Sequence, residues 1–261
     1  MLALISPAKK LNFDLDHAYG HHTQPEFIDY AERLVNAIRR LSRADLARTM
    51  KLSDTLADLN FQRFKDFQTP FDLGNAKQAV LVFNGDTYVG LDAATLSDDD
   101  LAFAQDHLRI LSGLYGMLRP LDLIQPYRLE MGARFSPPRR ADLYDFWSAR
   151  LTEALNATLS GQADPVVINL ASNEYFKAVK PKDLSARVIT PAFKEIKNGE
   201  IRMLGMFAKQ ARGMMARFMI AKRLTTPEEL KSFDSGDYEF RPDLSEGDKW
   251  VFTRDQPPPP K

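Results

Sequence analysis

The sequence predicts a mixed α/β fold, a single unit in which helices surround a mixed sheet. Three observations predict it. Segments of helical period alternate with short apolar, β-prone runs along nearly the whole chain. Their spacing is not that of a regular βαβ repeat. No internal repeat or Pro/Gly/Ser-rich linker divides the 261 residues. One domain over residues 1–255 is expected. Residues 256–261 carry four prolines and read as a frayed polyproline tail.

Leu2–Ile5 reads as a first, buried strand that ends at Ser6-Pro7. With Met1 the apolar run is five residues, too short for a signal-peptide core, and no basic region precedes it. Residues 8–24 read as a loop carrying His17, His21 and His22. From Glu26 to Leu41, residues Phe27, Tyr30, Leu34, Ala37, Ile38 and Leu41 share one helical face. Residues 44–52 and 54–67 continue as helices, the second capped by Ser53. Residues 79–83 are read as a strand because they are apolar and are followed by the turn signal Asn84-Gly85-Asp86.

Ser97 and Asp100 have capping-box spacing, and the acids at 98–100 suit the positive end of a helix expected to run to about Leu111. Residues 143–159 form another amphipathic helix and 166–170 a buried strand. Asn198-Gly199 predicts a tight hairpin between 187–196 and 200–207. Residues 208–224 read as a helix. Thr226-Pro227-Glu228-Glu229 marks a further helix start, and 238–240 pairs with 250–253 as late strands.

Composition bounds the chemistry. The chain has no cysteine, which excludes disulfides, thiolate metal sites and cysteine nucleophiles. A cytoplasmic location is expected, and no apolar run is long enough for a membrane span. Thirty-five basic residues balance thirty-five acidic ones, but unevenly. Phe176 to Arg223 holds twelve Lys/Arg against three acids, whereas Asn84 to Asp106 holds six aspartates and no base. There is no Walker-type loop, G-x-G-x-x-G, G-x-S-x-G or H-E-x-x-H, and the histidines are not spaced to share a metal. No metal and no cofactor is expected.

Four constellations stand out. The first is Leu111-Ser112-Gly113-Leu114-Tyr115-Gly116, where a helix is expected to end and two glycines sit three apart. Two helices joined by such a turn aim backbone amides at a phosphate, as helix-hairpin-helix elements do. The bland reading is a plain helical corner. Downstream, Arg119, Arg128, Arg134, Arg139 and Arg140 interleave with Tyr127 and Phe135. They suit either nucleic acid or an internal ion-pair network such as Arg128 with Glu130 or Asp122.

The second constellation is the basic helix. Phe207, Ala211, Met214, Met215 and Phe218 share one face, and Lys209, Arg212 and Arg223 lie opposite. It is either a cationic surface or a solvated helix face. The third is residues 169–177, where a strand ends and Ser172 is placed to cap a helix bearing Glu174, Tyr175 and Lys177. Strand-to-helix junctions favour ligands, though a capped helix with a local ion pair explains the same residues. The fourth joins Lys9, after the first strand, to Asp86. If the strands share a sheet, Lys9, Asp86, Ser172, Glu174 and Lys177 line one pocket.

These motifs together resemble the YaaA family (DUF328, UPF0246). The resemblance rests on Ser6-Pro7-Ala8-Lys9, on Gly85-Asp86 with Tyr88, Gly90 and Leu91, and on Leu111 to Gly116. It continues through Leu118 to Asp122, Pro126 to Gly132, Asn169 to Lys177, and Ala211-Arg212-Gly213 with Arg217-Phe218. It spans Met1 to about Phe252. The sequence departs from the family pattern at Lys10, where threonine is expected, and at Asn84, where lysine is expected.

The resemblance implies a mixed α/β fold called the cantaloupe fold, a helix-hairpin-helix element and a positively charged cleft. It also implies binding of duplex or distorted DNA and a role in limiting damage by peroxide and iron. The hairpin is placed at 108–123. DNA is the expected partner, held by Gly113, Gly116, Arg119, Arg128, Lys177, Lys180, Lys209 and Arg212. The alternative is an enzyme acting on a nucleobase or other small molecule, with Lys9, Asp86, Glu174 and Lys177 as candidate catalytic residues beside Ser172. Whether the chain is an enzyme stays open at this point.

Overall fold

A computed structural model of the chain describes residues 1–14 and 19–257. His17 and all but the first two residues of the proline tail lie outside the described residues. The architecture is mixed α/β, as expected. A central sheet runs in the order Glu239–Phe240, Lys249–Asp255, Arg187–Lys197, Val166–Leu170, Leu2–Ile5, Leu108–Ser112, Gly116–Leu118, with Glu200–Arg202 paired to Arg187–Lys197. The five inner strands are mutually parallel, and the outer pairings are antiparallel.

The first strand is central. Leu2, Ala3, Leu4 and Ile5 are all buried, as strands covered on both faces must be. Ala3 pairs with Leu108 on one side and with Ile168 on the other. The chain leaves Leu2–Ile5 toward Leu108–Ser112 on one side. From Val166–Leu170 it proceeds to Arg187–Lys197 on the opposite side. The gap between these two parallel strands is therefore a topological switch point, and their carboxyl ends open on one crevice.

Most elements fall where the periodicity places them. The helices are Ile28–Ile38, Arg43–Met50, Asp54–Asp66, Asp98–His107, Leu143–Leu159 and Gly205–Ala221. Ser97 and Asp100 make the full capping box. Asn198 and Gly199 both take positive φ, 52° and 80°, the mirror-image turn that matches strand twist. Ser53 stands at its helix start but makes no side-chain cap.

Two expectations are corrected. Ala79–Val82 is one turn of buried helix, flanked by the short strands Lys77–Gln78 and Phe83–Asn84. All four of its residues are buried, and an apolar run buried on every side has no period to betray it. The second concerns residues 108–123, which are not two helices. The preceding helix stops at His107, and Leu108–Ser112 continues as a strand that turns back into Gly116–Leu118. Ile110 pairs with Leu118 and Ser112 with Gly116. Pairing with the first strand satisfies the backbone of 108–112, so helix there would orphan the centre of the sheet.

Both glycines of this turn are buried. Gly116 has φ +71°, and a Cβ there would lie 2.6 Å from the Trp147 ring. The Trp147 indole Nε1 donates to the Gly113 carbonyl at 2.9 Å. Gly113 and Gly116 therefore shape a core turn beneath Trp147 and offer no amide to a phosphate. A pair of helices joined by a short turn occurs instead at Arg43–Met50 and Asp54–Asp66, with Lys51 in the left-handed region at φ 52°.

Candidate functional site

The crevice at the switch point is a cleft of about 540 Å³. Ser6 to Lys10 enter it from the first strand, and Leu170, Ser172, Glu174 and Tyr175 from Val166–Leu170 and the turn beyond. Asn84 to Tyr88 form a third wall, Glu130 a fourth contribution, and Lys209 and Arg212 come from the Gly205–Ala221 helix. Such a volume suits a small molecule or one unit of a larger one.

The two strand-end loops are tied together across the crevice. The Ser172 amide donates to the Ser6 Oγ at 2.9 Å, and the two hydroxyls lie 3.3 Å apart. Ser172 occupies the start of the Asn173–Phe176 helix, but its side chain faces Ser6 and makes no cap. Tyr88 reaches over to donate to the Ser6 carbonyl at 3.1 Å.

The wall bearing Asp86 is fixed by a helix crossing. Asp86–Leu91 lies directly on Gly205–Ala221. A Cβ on Gly90 would meet the Gln210 carbonyl oxygen at 2.0 Å, and one on Gly213 would meet the Thr87 carbonyl oxygen at 1.8 Å. Only glycine at both positions permits this approach. It sets Asp86 and Lys209 face to face, 3.8 Å apart, with Arg212 alongside in the cleft.

At the other end, Glu130 collects two cations. Lys9 Nζ lies 2.7 Å from its Oε1 and Arg128 3.2 Å from the same atom. The Arg128–Glu130 ion pair expected as the bland alternative is thus present, and Arg119 likewise pairs with Asp122 at 3.0 Å. Glu174 Oε1 accepts from the Gly132 amide at 3.0 Å. Burial holds the Tyr175 and Tyr88 phenols well above their ordinary pKa, so both remain protonated donors.

This end opens into a second, adjoining depression of about 200 Å³ that shares Lys9, Glu130 and Glu174. Lys51, at the turn between the paired helices, and Arg134 line it. The Arg134 amide donates to the Thr49 carbonyl at 3.3 Å, which holds the loop against that turn. Sequence reasoning missed Lys51 altogether. Its signal was the short break between two helical patterns, which names no partner.

Of the expected site residues, the structure gathers Lys9, Asp86, Ser172 and Glu174 in one cleft, with Lys209 and Arg212 of the basic helix beside them. Arg128 lies in a small recess next to Lys9 and Glu130. Lys177 sits over the Tyr144 ring at 4.8 Å and does not line the cleft. Lys180 is exposed elsewhere, and Arg119 is engaged with Asp122 and the Gln24 carbonyl. The rest of the basic segment disperses. Arg187 pairs with Asp248, Arg202 with Glu200, and Arg223 with Asp100, while Arg217 donates to the Leu91 and Asp92 carbonyls.

The departures at Lys10 and Asn84 are cross-strand partners in the small Lys10–Leu11 and Phe83–Asn84 pairing. Both residues line the cleft.

A separate concavity of about 410 Å³ is lined by Arg33, Arg40, Arg139, Arg140 and Arg150 together with Phe146, and no acidic residue is in its lining. Arg150 lies over the Tyr30 ring at 4.3 Å. Arg140 reaches Asp145 at 3.4 Å.

Comparisons with known proteins agree with the resemblance. The family described as peroxide stress protein YaaA matches residues 1–244. A UPF0246 protein of Cellvibrio japonicus is 52% identical over 257 residues, covering 98% of this chain and 100% of its own length. A UPF0246 protein of Magnetococcus marinus is 53% identical over 254 residues, covering 97% of this chain and 99% of its own. The chain belongs to the YaaA family of peroxide stress proteins.

Proposed function

We propose that this chain acts in peroxide stress by binding DNA without sequence preference, and that the cleft and its adjoining depression form the phosphate-contacting wall. The observation that supports this is convergence. Lys9, Lys10, Lys51, Arg134, Lys209 and Arg212 come from four distant parts of the chain and line two depressions that share Lys9. Cations spaced along one groove neutralise successive phosphates and release counterions. Binding to many sequences with a steep salt dependence is the signature. If four phosphates are engaged, log affinity falls against log salt with a slope of roughly −3.6. A slope near zero on duplex, bent and single-stranded DNA sinks the reading.

A second reading is an enzyme acting on a nucleobase or a small molecule in the same cleft. It is favoured by the carboxylates at the strand ends. Asp86 has only the long contact to Lys209, and Glu174 keeps Oε2 free of any hydrogen bond among the described residues. Either is placed to take a proton from a ligand in the cleft. Product formation from base-damaged duplex or free nucleosides, lost in Asp86→Asn or Glu174→Gln, supports it. No product from any of these substrates removes it.

A further inference from the structure

Arg212 differs from the other deeply set guanidiniums of the molecule. Arg109 donates to the Gln105 and Leu108 carbonyls, and Arg128 meets Glu130. Arg254 donates to the Gly236 carbonyl, approaches Glu195 and lies over two rings. Arg212 is half-buried and lines the cleft, yet among the described residues it has no carboxylate within 4.0 Å and no hydrogen-bond acceptor. Burial pulls its pKa below the ordinary guanidinium value, which marks the desolvation it bears. A guanidinium keeps its charge and carries five donors, so partial burial without an acceptor costs stability that an anion recovers.

The position is also fixed. Gly213, the next residue, is pressed against the Thr87 carbonyl, so the Arg212 backbone cannot retreat from the cleft. Lys209 lies one turn away and Lys10 also lines the cleft, both exposed. The same cleft carries Glu174, Ser172, the protonated Tyr175, and Glu130 with Lys9 paired to it. The cleft therefore combines an unsatisfied anion receptor with acceptors and a few donors. A molecule with one phosphate, a sugar and a base bearing N–H groups uses both.

We infer that the cleft seats a single nucleotide, with its phosphate on Arg212 and its sugar and base directed toward Glu130 and Glu174. This deepens the reading above and rests on the cleft as the anion-binding wall. The nucleotide has two sources, a free mononucleotide or an unpaired nucleotide turned out of a DNA strand.

Calorimetric titration of the full chain separates them. The probes are a nucleoside 5′-monophosphate, the same nucleoside without phosphate, inorganic phosphate, and two duplexes that differ by one unpaired nucleotide. The monophosphate is expected to bind at least about tenfold more tightly than the nucleoside, the scale of one charge-assisted contact. Arg212→Gln should remove that advantage, and Arg212→Lys should restore part of it while a thermal melt shows both folded. A stronger response to the unpaired duplex than to the paired one assigns the strand as the source. Equal responses with tight monophosphate binding assign the free nucleotide.

The inference is overturned if monophosphate and nucleoside bind alike, if Arg212→Gln changes nothing, or if the wild type binds no monophosphate. Duplex binding with a steep salt slope but no monophosphate binding would leave the DNA reading standing without this one. Monophosphate binding without duplex binding would do the reverse.

Discussion

The amide of Ser172 donates to the hydroxyl of Ser6 across the crevice between two parallel strands that run side by side at the centre of the sheet. That bond holds the mouth of the cleft at a fixed width. Ser6→Ala leaves a half-buried amide without its acceptor, which costs about 1–3 kcal/mol. The thermal midpoint should fall and DNA affinity should drop with it. Ser6→Thr, which keeps the hydroxyl, should restore much of both. An unchanged melt in Ser6→Ala would show that the bond does not hold the loops.

The helix crossing makes a sharper prediction. Gly90→Ala or Gly213→Ala places a methyl group about where a carbonyl oxygen already sits. The helices must separate, at a cost of about 3 kcal/mol or more in each case. A chain of this size loses about 2–4 °C of midpoint per kcal/mol, so calorimetry should register the change plainly. Gly199→Ala, in an open exposed turn at φ 80°, should cost less, about 1 kcal/mol of backbone strain.

Two basic surfaces are candidates for the proposed DNA contact, and charge reversal tells them apart. Lys209→Glu with Arg212→Glu should weaken binding to all sequences alike and flatten the salt slope by about 1.8. Arg139→Glu with Arg140→Glu, in the arginine-lined concavity, should leave the slope unchanged. The opposite outcome would move the docking surface to the second concavity.

The pH dependence of stability has a contribution from the Ser97–Asp100 capping box. Hydrogen bonds from Ser97 and then the charge of Arg223 hold the Asp100 carboxyl below its ordinary value. A carboxylate with a depressed folded pKa contributes stability above its unfolded value near 3.8 and loses it as pH falls toward the folded value. The melting temperature of the wild type should therefore fall more steeply below about pH 4 than that of Asp100→Asn. Parallel curves would refute the assignment. Ser97→Ala should cost about 1 kcal/mol at neutral pH.

Much of the cleft was legible in the sequence because strand ends are legible. Ser6-Pro7 stops one apolar run and Ala171-Ser172 another, so Lys9, Ser172 and Glu174 fall at strand ends from the sequence alone. Asp86 was placed correctly for a wrong reason, since the run before it is a helical turn and not a strand. Gly113 and Gly116 misled because a buried turn under Trp147 and a phosphate-binding turn demand the same residue. A helical wheel set Lys209 and Arg212 opposite the apolar face, which is right for Lys209. It does not reveal that a second helix leans on that side through Gly90 and Gly213 and draws Arg212 half out of solvent. Pairing partners were equally hidden. Asp100 and Arg223 are far apart in sequence, and only the fold brings the acidic stretch against the basic helix.

The cleft draws its walls from both halves of the chain, residues 6–10 near the beginning and the Gly205–Ala221 helix near the end. During translation the first strand emerges long before either parallel neighbour, and Leu2–Ile5 gains its second only at Val166–Leu170. A nascent polypeptide halted before Gly205 carries Lys9 and Glu174 but neither Lys209 nor Arg212. Unfinished or truncated copies therefore lack the late wall of the cleft.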